Sequence, residues 1–222
     1  MNRVKEHFDR LASSYDGYKV RQSYYYCNLV KLISQLSGGL DKKAVLDLGC
    51  GTGLILKSLK PRYGLGVDLS DEMIRIAGSG AGTGLNFLAA DISTFRPSRN
   101  FDLIICSDVL EHLDDYKPLL GNLSGYSGRP RIIITWPNPR WFPVMRILEF
   151  LKLKMPEGKL YTSYLERVSA AAQDHGFAIA GRGYRLLSPS KVSGLGDLIN
   201  WLHQKGFLYR WGLIQYLVLD KK

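Results

Sequence analysis

Residues 47–53 read D-L-G-C-G-T-G, three glycines at every second position directly after the short apolar run A-V-L at 44–46. A buried strand that turns sharply toward a ligand needs glycine where φ becomes positive or where another group approaches the backbone closely. The spacing D-x-G-x-G-x-G differs from the G-x-G-x-x-G of dinucleotide-binding turns, which hold a pyrophosphate against a helix N-terminus. It therefore predicts an open α/β sheet whose first strand delivers a turn to a ligand without phosphate.

The rest of the chain fits that frame. Short apolar runs at 44–48, 63–69, 85–89, 101–106 and 131–135 predict five strands buried on both faces, separated by segments of helical spacing. Two further strands are predicted at 177–185 and 213–219, with a helix over 163–175 that Gly176 terminates. The expected fold class is α/β: a Rossmann-like, doubly wound, seven-stranded and mostly parallel sheet with helices on both faces. Residues 2–15 and 23–36 predict helices ahead of the first strand, so 1–38 is expected to cover an edge or mouth of the sheet. The whole of 1–222 is expected to be a single domain, with 136–164 as an insertion on its substrate side. The G-S-G-A-G-T-G stretch at 78–84 reads as a helix-to-strand loop.

At 45% hydrophobic content a chain of 222 residues can bury a substantial core. No run of eighteen apolar residues is present, and M-N-R-V-K-E-H-F-D-R at the start is too polar for a signal sequence, so the expectation is a cytoplasmic protein. Cys27, Cys50 and Cys106 are widely spaced, which argues against a disulfide framework or a CxxC metal site. The net charge of +10 admits an anionic partner without naming one.

Asp68 ends the second predicted strand, 21 positions after Asp47. A carboxylate there can accept from two neighbouring ribose hydroxyls. Leu69 and Met73 offer apolar surface to a base, Asp91 can accept from an exocyclic amine while Ile92 packs on the ring, and Ser107 borders the same crevice. Gly49, Gly51 and Gly53 leave the backbone accessible, with Cys50 a small residue between them. Asp47 has two readings: it holds the glycine turn through backbone hydrogen bonds, or it meets the cofactor itself. Asp108 and Glu111 read as ordinary helix-start residues.

These stretches, together with G-V-D-L-S at 66–70, A-D-I at 90–92, S-D-V-L-E-H-L at 107–113 and F-D-x-x-A-x-x-Y-D at 8–16, resemble the class I S-adenosylmethionine-dependent methyltransferase superfamily, in particular its small-molecule and quinone-biosynthesis members. The resemblance covers about the first 135 residues. It implies S-adenosylmethionine as cofactor, S-adenosyl-L-homocysteine as product, and a lid helix that brings Tyr15 over the cofactor.

Methyl transfer from a sulfonium needs alignment and exclusion of water more than acid or base chemistry. Where a base is needed, His112 stands closest to the carboxyl edge of the sheet. No His, Asp and Glu cluster has metal-ligand spacing, so no metal is expected. On the acceptor side, W-P-N-P-R-W-F-P at 136–143 reads as a substrate loop, with Trp136, Asn138, Trp141 and Tyr161 as contacts. Residues 144–155 predict an amphipathic helix with Val144, Ile147, Leu148, Leu151 and Met155 on one face. That helix is a lid, a peripheral contact through 140–159 with the inner membrane surface, or an element packed on the sheet. The aromatic and basic segment 201–211 extends the acceptor pocket or joins two elements.

The expected partner is a small, hydrophobic or lipid-linked acceptor, methylated on O, N or C. An RNA acceptor is the alternative that the basic charge raises, but the Asn/Asp-Pro-Pro-aromatic motif of base-amine methyltransferases is missing after the fourth strand. A non-catalytic cofactor-binding protein is the third reading, and the intact carboxylates disfavour it.

Overall fold

The computed structural model describes residues 2–21, 23–40, 43–189 and 195–221. Ala44–Leu48 (β1) lies inside the sheet, and every residue from Val45 on is buried. Its parallel neighbours are Tyr63–Asp68 (β2) on one side and Leu103–Ser107 (β4) on the other. Leu85–Ala89 (β3), Arg131–Pro137 (β5), Phe177–Arg185 (β6) and Ile214–Lys221 (β7) complete seven strands in the order β3-β2-β1-β4-β5-β7-β6. Only β7 runs antiparallel, pairing with β5 and β6. The fold class read from the sequence is therefore the one observed.

Continuous apolar strands serve two cores at once. Val45, Leu103, Ile105 and Ile133 pack with Leu29, Ile33 and Leu56 from Ser23–Ser37 (α2) and Leu54–Leu59 (α3). Leu46, Leu48, Ile104, Ile132 and Ile134 face the other way, onto Leu120 of Lys117–Ser124 (α5) and Val168 of Leu165–Asp174 (α7). The chain passes from β1 outward to β2 and β3 and then returns to β4 on the opposite side of β1. This reversal opens a crevice beyond the carboxyl ends of the strands, the usual ligand position in such sheets.

Most element bounds shift by a residue or more from expectation, the first helix running on to Arg21, and three of the shifts have visible reasons. β4 starts at Leu103, because Asp102 turns its carboxylate onto the Ala44 amide. β5 runs on to Pro137, where only β7 remains as partner, so the missing proline N–H breaks no ladder with β4. The predicted helix over 144–155 is Phe142–Phe150 (α6). It ends because Lys152 adopts a left-handed φ of 57° and the amides of Leu153 and Lys154 both return to the Leu148 carbonyl. Met155 is buried beyond that turn, while Val144, Ile147 and Leu151 are exposed, so the helix does not lay this face on the sheet.

The first helix, Asn2–Arg21 (α1), packs chiefly on Asp71–Ser79 (α4). Leu195–Gln204 (α8) precedes a short 3-10 turn at Tyr209–Trp211 that leads into β7. None of the described helices is long and apolar enough to cross a membrane.

Candidate active site

The turn after β1 is folded onto β2 by two amides, Gly49 and Cys50, that both donate to the Val67 carbonyl at 2.7 and 3.1 Å. Gly49, Gly51 and Gly53 all have positive φ, at 80°, 53° and 77°. A Cβ on Gly49 would stand 2.2 Å from Val109 Cγ2, and one on Gly53 2.6 Å from Phe87 Cε1. At those two positions the protein's own packing excludes a side chain, whatever ligand lies nearby. A Cβ on Gly51 would meet the Tyr15 ring at ordinary contact distance, 3.6 Å.

Asp68 holds this turn. Its Oδ2 accepts from the Gly51 amide at 2.8 Å and its Oδ1 from the Ser70 amide at 2.9 Å. Ser70 caps α4 by accepting from the Met73 amide, and its hydroxyl donates to Asp9 on α1 at 2.6 Å. Asp16, about two turns further along α1, accepts from the Thr52 hydroxyl at 2.6 Å. Lys5 pairs with Asp9 and Asp71, and His7 Nε2 reaches the Pro156 carbonyl at 3.1 Å. Thus α1 lies across the carboxyl edge, tied to the glycine turn, to the start of α4 and to the chain after α6.

Beneath it is a cavity of about 390 Å³. Tyr15, Gly49, Gly51, Asp68, Leu69, Met73, Asp91, Ile92, His112 and Tyr161 line it, and Val4, Phe8, Asp108 and Val109 add to its walls. Asp47, Cys50, Gly53 and Ser107 stand outside that lining. The Ser107 hydroxyl is spent on Thr135, 2.7 Å away.

Asp47 is the outlier. It is 1% exposed, and neither carboxylate oxygen has a hydrogen-bond partner. Backbone anchoring of the turn therefore belongs to Asp68 and not to Asp47. Burial, with the neighbouring Asp68 charge, pushes the Asp47 carboxyl up to about 7.

The 136–141 segment corrects the substrate-loop expectation. Trp136 is fully buried and donates its indole N–H to the Ser163 carbonyl at 2.7 Å. Asn138 is fully buried and donates to the carbonyls of Arg210 and Gly212, while Trp141 donates to that of Trp211. Trp136 fastens the end of β5 to the approach of α7, Asn138 and Trp141 fasten its exit to the approach of β7, and none reaches the cavity.

Sequence reading missed Asp108. It begins no helix: its φ is 54°, it lines the cavity, and both carboxylate oxygens receive the Tyr25 hydroxyl, at 3.1 and 3.3 Å. Tyr25 comes from α2, 83 residues away, so spacing carries no signal of the pair. Burial raises the Asp108 carboxyl above its ordinary range and Glu111, 2% exposed beside it, well above. Burial moves His112 the other way, down to about 4, and Phe8 packs edge-on to its ring at 5.0 Å. No group of three or more His, Cys, Asp or Glu among the described residues could hold a metal ion.

Comparison with known proteins adds identity to this geometry. Residues 19–185 match a family model described as a methyltransferase domain. A malonyl-[acyl-carrier protein] O-methyltransferase of Ilyobacter polytropus is 26% identical over 190 residues, 78% of this chain and 69% of that protein. A ubiquinone biosynthesis O-methyltransferase of Aeromonas salmonicida is 30% identical over 137 residues, but the match spans only 58% of its length and 57% of this chain. Among solved structures, an S-adenosylmethionine-dependent methyltransferase from Thermotoga maritima superposes with a TM-score of 0.74, covering 99% of this chain and all of that one. At 18% identity that likeness speaks for the fold.

The orphaned carboxylate generates a prediction. Because the folded-state pKa of Asp47 lies above the unfolded value, the stability it contributes is complete below about pH 4 and is lost as pH rises through about 7. Asp47→Asn should therefore stabilise the ligand-free protein by about 1 to 3 kcal/mol at pH 8 and leave it unchanged at pH 4. Thermal melts at the two pH values would show this, and equal melting temperatures at pH 8 would contradict it.

Proposed function

This chain belongs to the methyltransferase-domain family, and from that premise we propose that it uses S-adenosylmethionine to methylate a small, hydrophobic or lipid-linked acceptor at the carboxyl edge of its sheet. The observation that carries the reading is the pair of carboxylates at the ends of adjacent strands beneath a glycine turn, Asp68 half-buried on the cavity wall and Asp47 fully buried close to it. Carboxylates in and close to the wall favour a cationic ligand over an anionic one.

The cofactor supplies a methyl group already activated on a sulfonium. The chain supplies position. Gly49 and Gly51 present bare backbone to the cavity, and Asp68, with one lone pair on each oxygen taken by an amide, keeps others for ribose hydroxyls. Leu69, Met73 and Ile92 offer apolar contact to the base and Asp91 a carboxylate to its amine. Phe8 and Tyr15 on α1 close the roof, which excludes water from the line of transfer.

Val109, Leu113 and Tyr161 give the remaining wall an apolar character suited to a hydrophobic acceptor. Both curated relatives are named as O-methyltransferases, and one acts in ubiquinone biosynthesis. An acceptor hydroxyl must give up a proton as it takes the methyl group. Asp108 is the better receiver: it lines the cavity with a carboxyl whose pKa burial raises, whereas burial lowers that of His112 to about 4 and makes it a weak base. His112 is assigned instead to support the lid through Phe8.

Calorimetric titration with S-adenosylmethionine tests the cofactor half. Asp68→Ala should weaken binding by about 1 to 3 kcal/mol, and unchanged affinity would refute the assignment. Mass-spectrometric profiling of extracts incubated with labelled cofactor identifies the acceptor; with that in hand, Asp108→Asn should lower kcat by roughly 100-fold or more and His112→Gln by under about tenfold. Asn is at home at a left-handed φ, so this change spares the backbone. The reverse ranking would return the base to His112.

A further inference from the structure

Except for Leu88, every large hydrophobic side chain exposed among the described residues lies in one of two segments, 144–153 and 198–211. The most exposed are Phe150 at 86% and Leu153 at 69%, and Trp201, Phe207 and Trp211 are about half exposed. Scattered apolar residues on a surface need no explanation, but this concentration does. The two segments share a root. The Trp141 indole donates to the Trp211 carbonyl at 2.7 Å, and Asn138 and Arg140 both donate to the Arg210 carbonyl.

The charge around this surface selects its occupant. Residues 139–157 and 196–211 carry Arg140, Arg146, Lys152, Lys154, Lys205 and Arg210 against Glu149, Glu157 and Asp197, with Lys154 paired to Glu157 and Arg146 to Glu149. Arg140 and Arg210 also share an open surface cleft with Arg167, Glu166 and Tyr164, which sets three guanidinium groups against one carboxylate beside the aromatic cluster. A second copy of the chain would bring like charges together in a two-fold contact. Basic side chains interleaved with exposed Trp, Phe and Leu match a bilayer bearing anionic headgroups.

We propose that α6 with its following turn and the 198–211 segment form a single face that seats the protein on an anionic lipid bilayer. The apolar side chains enter the acyl boundary while the guanidinium and ammonium groups meet lipid phosphate. The face sits on the surface and does not span. Docking also explains why α6 is left with its apolar side chains uncovered. Beyond α6 the chain passes Pro156, held by His7 of the lid, and reaches Tyr161 on the cavity wall. The face therefore adjoins the lid, and in delivering a lipid-borne acceptor there the inference rests on the function proposed above.

Co-sedimentation of the full chain with phosphatidylcholine vesicles, with and without phosphatidylglycerol, tests it, alongside calorimetric titration of each variant with S-adenosylmethionine. Binding should require phosphatidylglycerol and weaken with added salt. Phe150→Ser with Leu153→Ser should reduce it roughly tenfold or more, and Lys152→Gln or Lys205→Gln by about fivefold each, all with unchanged cofactor affinity. Absence of sedimentation with either vesicle, indifference to these substitutions, or a stable dimer that the Phe150 and Leu153 changes dissolve would overturn the proposal. Vesicle binding by a chain that does not bind the cofactor would sink the function instead and leave the docking face standing.

Discussion

The Asp68 carboxylate, taking one amide proton from Gly51 and another from Ser70, is the contact on which the carboxyl edge depends. Through Gly51 it fixes the glycine turn, and through Ser70 it fixes the start of α4 and, by way of Asp9, the position of α1. One side chain thereby joins the floor, a wall and the roof of the cavity. Hydrogen bonds to an ionised acceptor are among the stronger ones available, and this carboxylate is partly withdrawn from water. Burial raises its pKa while the amides of Ser70, Gly51 and Leu69 oppose that rise.

Asp47 stands in contrast. It is buried on β1 with no donor for either oxygen, and its pKa of about 7 reports the cost of keeping it there. A structural residue at that position would be served by an amide or replaced by a neutral one. A cationic ligand beside it would instead lower its pKa and recover part of the cost on binding. The ligand-free protein therefore holds electrostatic strain that the proposed cofactor relieves.

How much of this was legible in the sequence follows from what each feature depends on. A strand buried on both faces must be apolar throughout, so β1 stands at the bounds its composition marks; β3 and β6 also match theirs, but as partly exposed edge strands. Glycines at every second position likewise announced a turn of positive φ, although the reason for two of them is a clash with Val109 and Phe87, residues far off in the chain. Trp136 and Asn138 misled because tryptophan and proline mark surface loops by composition, whereas here an indole and an amide satisfy carbonyls ahead of α7 and β7. Asp108 was invisible because its role comes from a left-handed backbone and a tyrosine on another helix. The apolar face of 144–155 was visible as periodicity, but only the Lys152 turn shows that Met155 goes inward and Ile147 outward.

The central claim is that the Asp47 and Asp68 carboxylates under the glycine turn favour a cationic nucleoside cofactor, and proton linkage tests it most directly. Affinity for S-adenosylmethionine measured from pH 5.5 to 8 should rise as Asp47 ionises through about 7. Binding near pH 6.5 should release a proton, seen as a dependence of the calorimetric heat on the buffer's ionisation enthalpy. Affinity that is flat across that range, with no proton released, would contradict the claim.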